Sequence, residues 1–168
     1  MSHRSFDEQL DSLFEAYDKG QAGKRDNREN ALTEEAQFLA SFVEARENVI
    51  RPTLEKLGSK LRARDHDYSI NEGDFKPPHG SRAAADEAFI RMRIFMSHLK
   101  DRTRTEASRI PFISFTTDHR LRKVIIHTSD YTEVGGSVTK LGQFDINQLN
   151  PIFIQEKFLF LFSQLARK

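Results

Sequence analysis

The chain has 168 residues, 30% of them charged, and a net charge of +1. That length suits one domain with a real core, and the near-neutral total singles out no class of partner. No cysteine is present, which excludes disulfides, thiolate metal sites and cysteine nucleophiles and fits a cytoplasmic location.

Met1 to Leu10 carries acidic residues and no apolar core, unlike a signal peptide. No run approaches the ~18 apolar residues that a membrane span needs, so a membrane is not expected as a partner. Charge is unevenly placed. Residues 1–50 hold six Lys/Arg against eleven Asp/Glu, whereas residues 82–123 hold ten against five. An acidic first third and a basic middle are able to bind each other, within one chain or between two copies.

In chain order, Phe6, Leu10, Leu13, Phe14 and Tyr17 recur at three- and four-residue spacing and predict an amphipathic helix over 4–18. Residues 20–30 are polar, contain two glycines and lack apolar periodicity, so they read as a flexible connection. From Thr33 to about Ala63 the pattern is helical again, with Val43, Ile50 and Leu57 seven apart, and Leu54 and Leu61 likewise. Pro52 lies inside that pattern. It removes a backbone hydrogen bond and crowds the preceding turn, so a kink is expected there, or a new helix starting at Pro52.

Strands follow. Tyr68–Ile70 is a short one. Residues 73–81 form a loop stiffened by Pro77 and Pro78. Ala88–Met96 is the clearest strand: Ile90, Met92, Ile94 and Met96 point one way, and Phe89, Arg91, Arg93 and Phe95 the other. After a charged connection over 98–109 come Pro111–Thr117 and Leu121–Thr128, joined by a turn through Asp118 and His119. Gly135 and Gly136 bend the chain into a weaker strand, Ser137–Leu141. These short spacings predict an antiparallel meander.

The last element, Ile152–Leu165, follows Asn150 as a cap and Pro151 in the first turn, where its missing N–H costs nothing. Ile154, Phe158, Leu161, Phe162 and Leu165 share one face. Phe153 and Phe160 lie on the opposite, polar face, where one core does not account for them.

The fold expected is therefore α+β in a single domain over 1–168: two N-terminal helices, the second long and kinked near Pro52, a meander of about four to five strands, and a C-terminal helix packed on the sheet.

For function, the Phe89-Arg91-Arg93-Phe95 strand face stands out. Aromatic rings that stack bases, beside arginines that hold phosphates, are what single-stranded nucleic-acid readers present on a sheet. His127 is added to this candidate ligand set. The plainer alternative is a helix-covered face whose arginines reach along the surface. Asp65-His66-Asp67, and Asp118-His119 with His127 and Asp130, are the candidate metal or hydrolase groups, although turn chemistry accounts for Asp at such places. No G-x-S-x-G, Rossmann or phosphate-loop spacing occurs, so no catalytic residue, metal ligand or cofactor is assigned. Phe153 and Phe160, with the broad apolar stripes of the helices, point to an interface. The function expected is a non-enzymatic binding or adaptor protein, self-associating as a homodimer or joined to a protein partner. The alternatives are single-stranded nucleic-acid or phosphate binding, and a small hydrolase or metal enzyme.

Overall fold

The computed structural model describes residues 6–97, 110–130 and 138–167. The chain divides into two compact units, Met1–Gln37 and Phe38–Lys168. Helix α1 (Phe6–Ala45) begins in the first and ends in the second. Every described residue of the first unit up to Glu34 is exposed.

Residues 20–30 are part of α1, which corrects the expectation of a flexible connection separating a helix over 4–18 from one starting at Thr33. The stretch lacks apolar periodicity, and all of its residues are exposed. Gln21, Ala22, Lys24, Arg25, Arg28 and Glu29 are good helix formers, and they outweigh Gly20 and Gly23, which cost roughly 1 kcal/mol each against Ala. The Thr33 hydroxyl donates to the Glu29 carbonyl at 3.0 Å, one turn back.

In the second unit, α1 gives way to a π-helical turn, Arg46–Ile50, and then to α2 (Arg51–Arg62) with Pro52 in its first turn. Pro52 cannot donate to the carbonyl four residues back, and the wider turn precedes it: the Arg51 N–H reaches the Arg46 carbonyl instead. Arg46 is buried at the turn. Its Nη1 donates to the Gly73 carbonyl at 3.0 Å and its Nη2 to Asp74 Oδ1 at 2.7 Å, while Arg51 pairs with Glu72. The helical segment is thereby tied to the chain leaving the first strand.

Five strands form one antiparallel sheet in sequence order: β1 (Asp67–Gly73), β2 (Phe89–Phe95), β3 (Phe112–Asp118), β4 (Lys123–Ser129) and β5 (Val138–Phe144). The meander expected from the strand spacing is present. The charged connection at 98–109 and the Gly135-Gly136 bend lie outside the described residues. A short 3₁₀ turn (Ile146–Gln148) leads into α3 (Pro151–Leu165), whose N-terminus is capped by Asn150 accepting from the Phe153 N–H at 2.9 Å.

Alternation fixes the two faces of the sheet. Ile90, Met92, Ile94, Ile113, Phe115, Val124 and Ile126 are fully buried. They belong to one apolar cluster with Phe42, Ile50, Leu54, Ile154, Phe158 and Leu161 of the helices. Each such side chain contributes roughly 1.5–3 kcal/mol on burial. Among the described residues no helix is long and apolar enough to cross a membrane.

Candidate functional site

The other face of the sheet gathers the residues singled out on β2. Register places Asn71, Arg91, Ser114, His127 and Lys140 side by side on five successive strands. At a strand spacing near 4.8 Å this row is about 19 Å long. A second row runs Ser69, Arg93, Phe112, Ser129, and a third runs Gly73, Phe89, Thr116, Ile125. Phe89, Arg91, Arg93, Phe95 and His127 are all half-buried.

Arg91 sits between rings. Its guanidinium carbon is 4.6 Å from the centre of Phe112 and 5.8 Å from that of Phe89. Burial, then the charge of Arg93, lowers its pKa from the ordinary arginine value. Its Nε is buried and has no hydrogen-bond partner among the described residues. His127 has its pKa lowered from 6.5, first by burial, then by Lys140 and Arg91. The face thus concentrates cations where water is partly excluded, a setting that strengthens attraction for an incoming anion.

Lys140 joins this row because of a bulge. Ile126 pairs with Gly142, but His127 pairs with Lys140, so the register shifts between them. Gly142 has φ +146, and a Cβ there would lie 2.9 Å from the Phe144 ring. Sequence reasoning assigned neither Lys140 nor Phe112 to the site. The parity of each strand was legible, but which residues stand opposite each other was not.

The remaining candidates hold structural positions. Asp65 adopts a left-handed conformation (φ 64) that closes α2: its N–H meets the Arg62 carbonyl, and the His66 N–H meets that of Leu61, both at 3.1 Å. His66 Nδ1 accepts from the Ser97 N–H, and Asp67 Oδ1 accepts from Arg62 and from the Tyr68 N–H. His119 Nδ1 lies 2.5 Å from Glu87 Oε1, and the other oxygen of Glu87 accepts from the Thr117 hydroxyl at 2.7 Å. His119 precedes β4, His127 lies within it and Asp130 follows it. A strand rise near 3.4 Å per residue then separates His119 from Asp130 by roughly 20 Å or more, so the three do not converge. Among the described residues no group of three His, Asp or Glu is placed to hold a metal ion.

Phe153 packs edge-on against Phe144 of β5, ring centres 4.9 Å apart, with the Lys157 ammonium over both rings. A ring of the sheet thus covers part of it, a neighbour the sequence did not reveal. Phe160 remains 44% exposed.

No family model, curated protein or solved structure matches this chain.

Proposed function

We propose that this chain is a non-enzymatic binding protein whose outer sheet face holds a phosphate-bearing ligand, single-stranded nucleic acid being the form that uses the whole face. The supporting observation is that Arg91, Arg93 and Lys140 share this face and have no carboxylate partner among the described residues. The ion pairs among the described residues involve Arg46, Arg51, Arg62, His119 and Lys123, not Arg91, Arg93, His127 or Lys140. Like charges crowded into a half-dry surface repel one another, and a phosphate relieves that repulsion. Phe89, Phe95 and Phe112 flank Arg91 and Arg93 and supply stacking platforms, each worth roughly 1–3 kcal/mol per base in such proteins.

In this arrangement the C-terminal helix covers the opposite sheet face, so that ligand and core occupy different sides. A cytoplasmic location fits the cysteine-free composition. Fluorescence anisotropy of a short labelled single-stranded oligonucleotide at low salt is the test. Binding should weaken with salt at a logarithmic slope near −0.7 per phosphate neutralised, hence roughly −2 for Arg91, Arg93 and Lys140 together. No anisotropy change at low salt removes the proposal. A second reading, self-association, is favoured by exposed apolar residues on α1.

A further inference from the structure

Among the described residues, two exposed apolar surfaces match each other. The first is the apolar stripe of α1. At 100° per residue, Phe6, Leu10, Leu13, Phe14 and Tyr17 fall within about 100° of arc, and Phe6, Leu13 and Tyr17 are exposed to 76, 68 and 64%. The same projection puts Asp7, Asp11 and Asp18 along one flank, and Gln9, Ser12 and Ala16 along the other. The stripe is acidic on one side and uncharged on the other.

The second is a groove of about 480 Å³ between α2 and α3, floored by Leu57, Leu61 and Phe162 with Leu159 at its lip. Its α2 rim carries Lys60 and Arg64, both exposed. The α3 rim is uncharged there, with Gln155 and Leu159. Leu159 is 61% exposed, and Ile152 beside it on the same helix face 69%. One rim is basic and the other neutral, the counterpart of the helix flanks.

We propose that the groove receives the 6–18 segment of α1 from a second copy of this chain, each copy donating a helix to the other. The acidic flank lies along Lys60 and Arg64, and the apolar side chains fill the groove. Pairing two α1 stripes antiparallel would bring their acidic flanks together, which like-charge repulsion opposes, and pairing them parallel would leave both the acidic flanks and the basic groove rim without an opposite charge. Reciprocal exchange is the self-complementary arrangement of a two-fold dimer. Three aromatics of 150–250 Å² each give roughly 500 Å² per inserted helix. Two insertions, counting both partners' surfaces, reach the ~1,600 Å² of a stable interface.

Light scattering at tens of micromolar, with and without variants, tests the exchange independently of ligand binding. The wild type should be a dimer. Leu13→Asp in the stripe and Leu159→Asp on the groove lip should each weaken it by roughly 30-fold or more, as a hot-spot loss does. Both positions are exposed, and unchanged far-UV circular dichroism will show that the fold persists. The decisive variant reverses charge: Asp7→Lys with Asp11→Lys should weaken the dimer, and adding Lys60→Glu with Arg64→Glu should restore it. A monomeric wild type, whether the helix is free or folded onto its own chain, overturns the proposal. A dimer indifferent to Leu159→Asp, or not rescued by the double reversal, overturns it as well.

Discussion

The guanidinium of Arg91 on β2 faces the ring of Phe112 on β3 at 4.6 Å, while its Nε is buried without a hydrogen-bond partner among the described residues. A cation held by a ring rather than a carboxylate keeps its charge available, and a planar fork of donors suits phosphate oxygens. Replacing Arg91 with Met keeps the stem and removes the charge. The folded state should change by no more than about 1 kcal/mol, since a desolvated cation and a cation–π contact are lost together. Oligonucleotide affinity should fall about tenfold and the salt slope should flatten by roughly 0.7. An unchanged slope in an anisotropy titration would remove Arg91 from the ligand face.

His127 should make the proposed ligand face sensitive to pH. Burial, Lys140 and Arg91 hold its pKa below 6.5 in the folded chain. As pH falls, the unfolded chain therefore takes up this proton first. The contribution to stability is intact above the ordinary histidine value and is lost as pH drops through it towards the folded value. Urea midpoints at pH 7.5 and 5.5 should show this loss, and His127→Gln should diminish it. A bound phosphate works in the opposite sense. It favours the imidazolium, so oligonucleotide binding should tighten as pH falls across the same window, with proton uptake measurable by calorimetry in two buffers.

The meander was legible because each strand announces its own parity. Ile90, Met92 and Ile94 against Phe89, Arg91 and Arg93 is a clear period of two, and a tight turn joins β3 to β4, where Asp118 pairs with Lys123. The site was half legible for the same reason. One strand's outward residues were visible, but Phe112, Ser114 and Lys140 reach the same row only through register, which is a property of pairs of strands. Residues 20–30 are helical without such a signal because apolar periodicity reports packing, not helicity, and a helical stretch whose residues are all exposed leaves no such trace. Gly58 was also overlooked. A glycine in a helix interior costs roughly 1 kcal/mol against Ala, which signals a close neighbour.

That neighbour is Tyr68 of β1. A Cβ on Gly58 would lie 2.3 Å from its ring, which also carries the Arg62 guanidinium 4.4 Å from its centre. Gly58→Ala gains helix propensity but forces the ring away, and overpacking of this kind costs roughly 1–3 kcal/mol. The variant should be destabilised in chemical denaturation despite the better helix former. Combining it with Tyr68→Ser, which vacates the space, should make the alanine far less costly than it is alone. Additive effects of the two changes would show that the residues do not compete for one volume.

Gly142 joins fold and site. Pairing of Ile126 with Gly142 would, in a regular ladder, bring Leu141 opposite His127 and turn Lys140 towards the core. The bulge instead sets Lys140 opposite His127 and leaves Leu141 packed against the buried cluster. The backbone at φ +146 suits only glycine, and the Phe144 ring occupies the place of a side chain. Gly142→Val should therefore destabilise by about 1–3 kcal/mol for the strained backbone alone, with β5 affected most in hydrogen exchange. Because Lys140 depends on the bulge, the same variant should lose oligonucleotide affinity at temperatures where it is still folded. Lys140→Met should lose a similar part of the affinity without the loss of stability. If Gly142→Val proves destabilised but binds as tightly as the wild type, Lys140 takes no part in the ligand face.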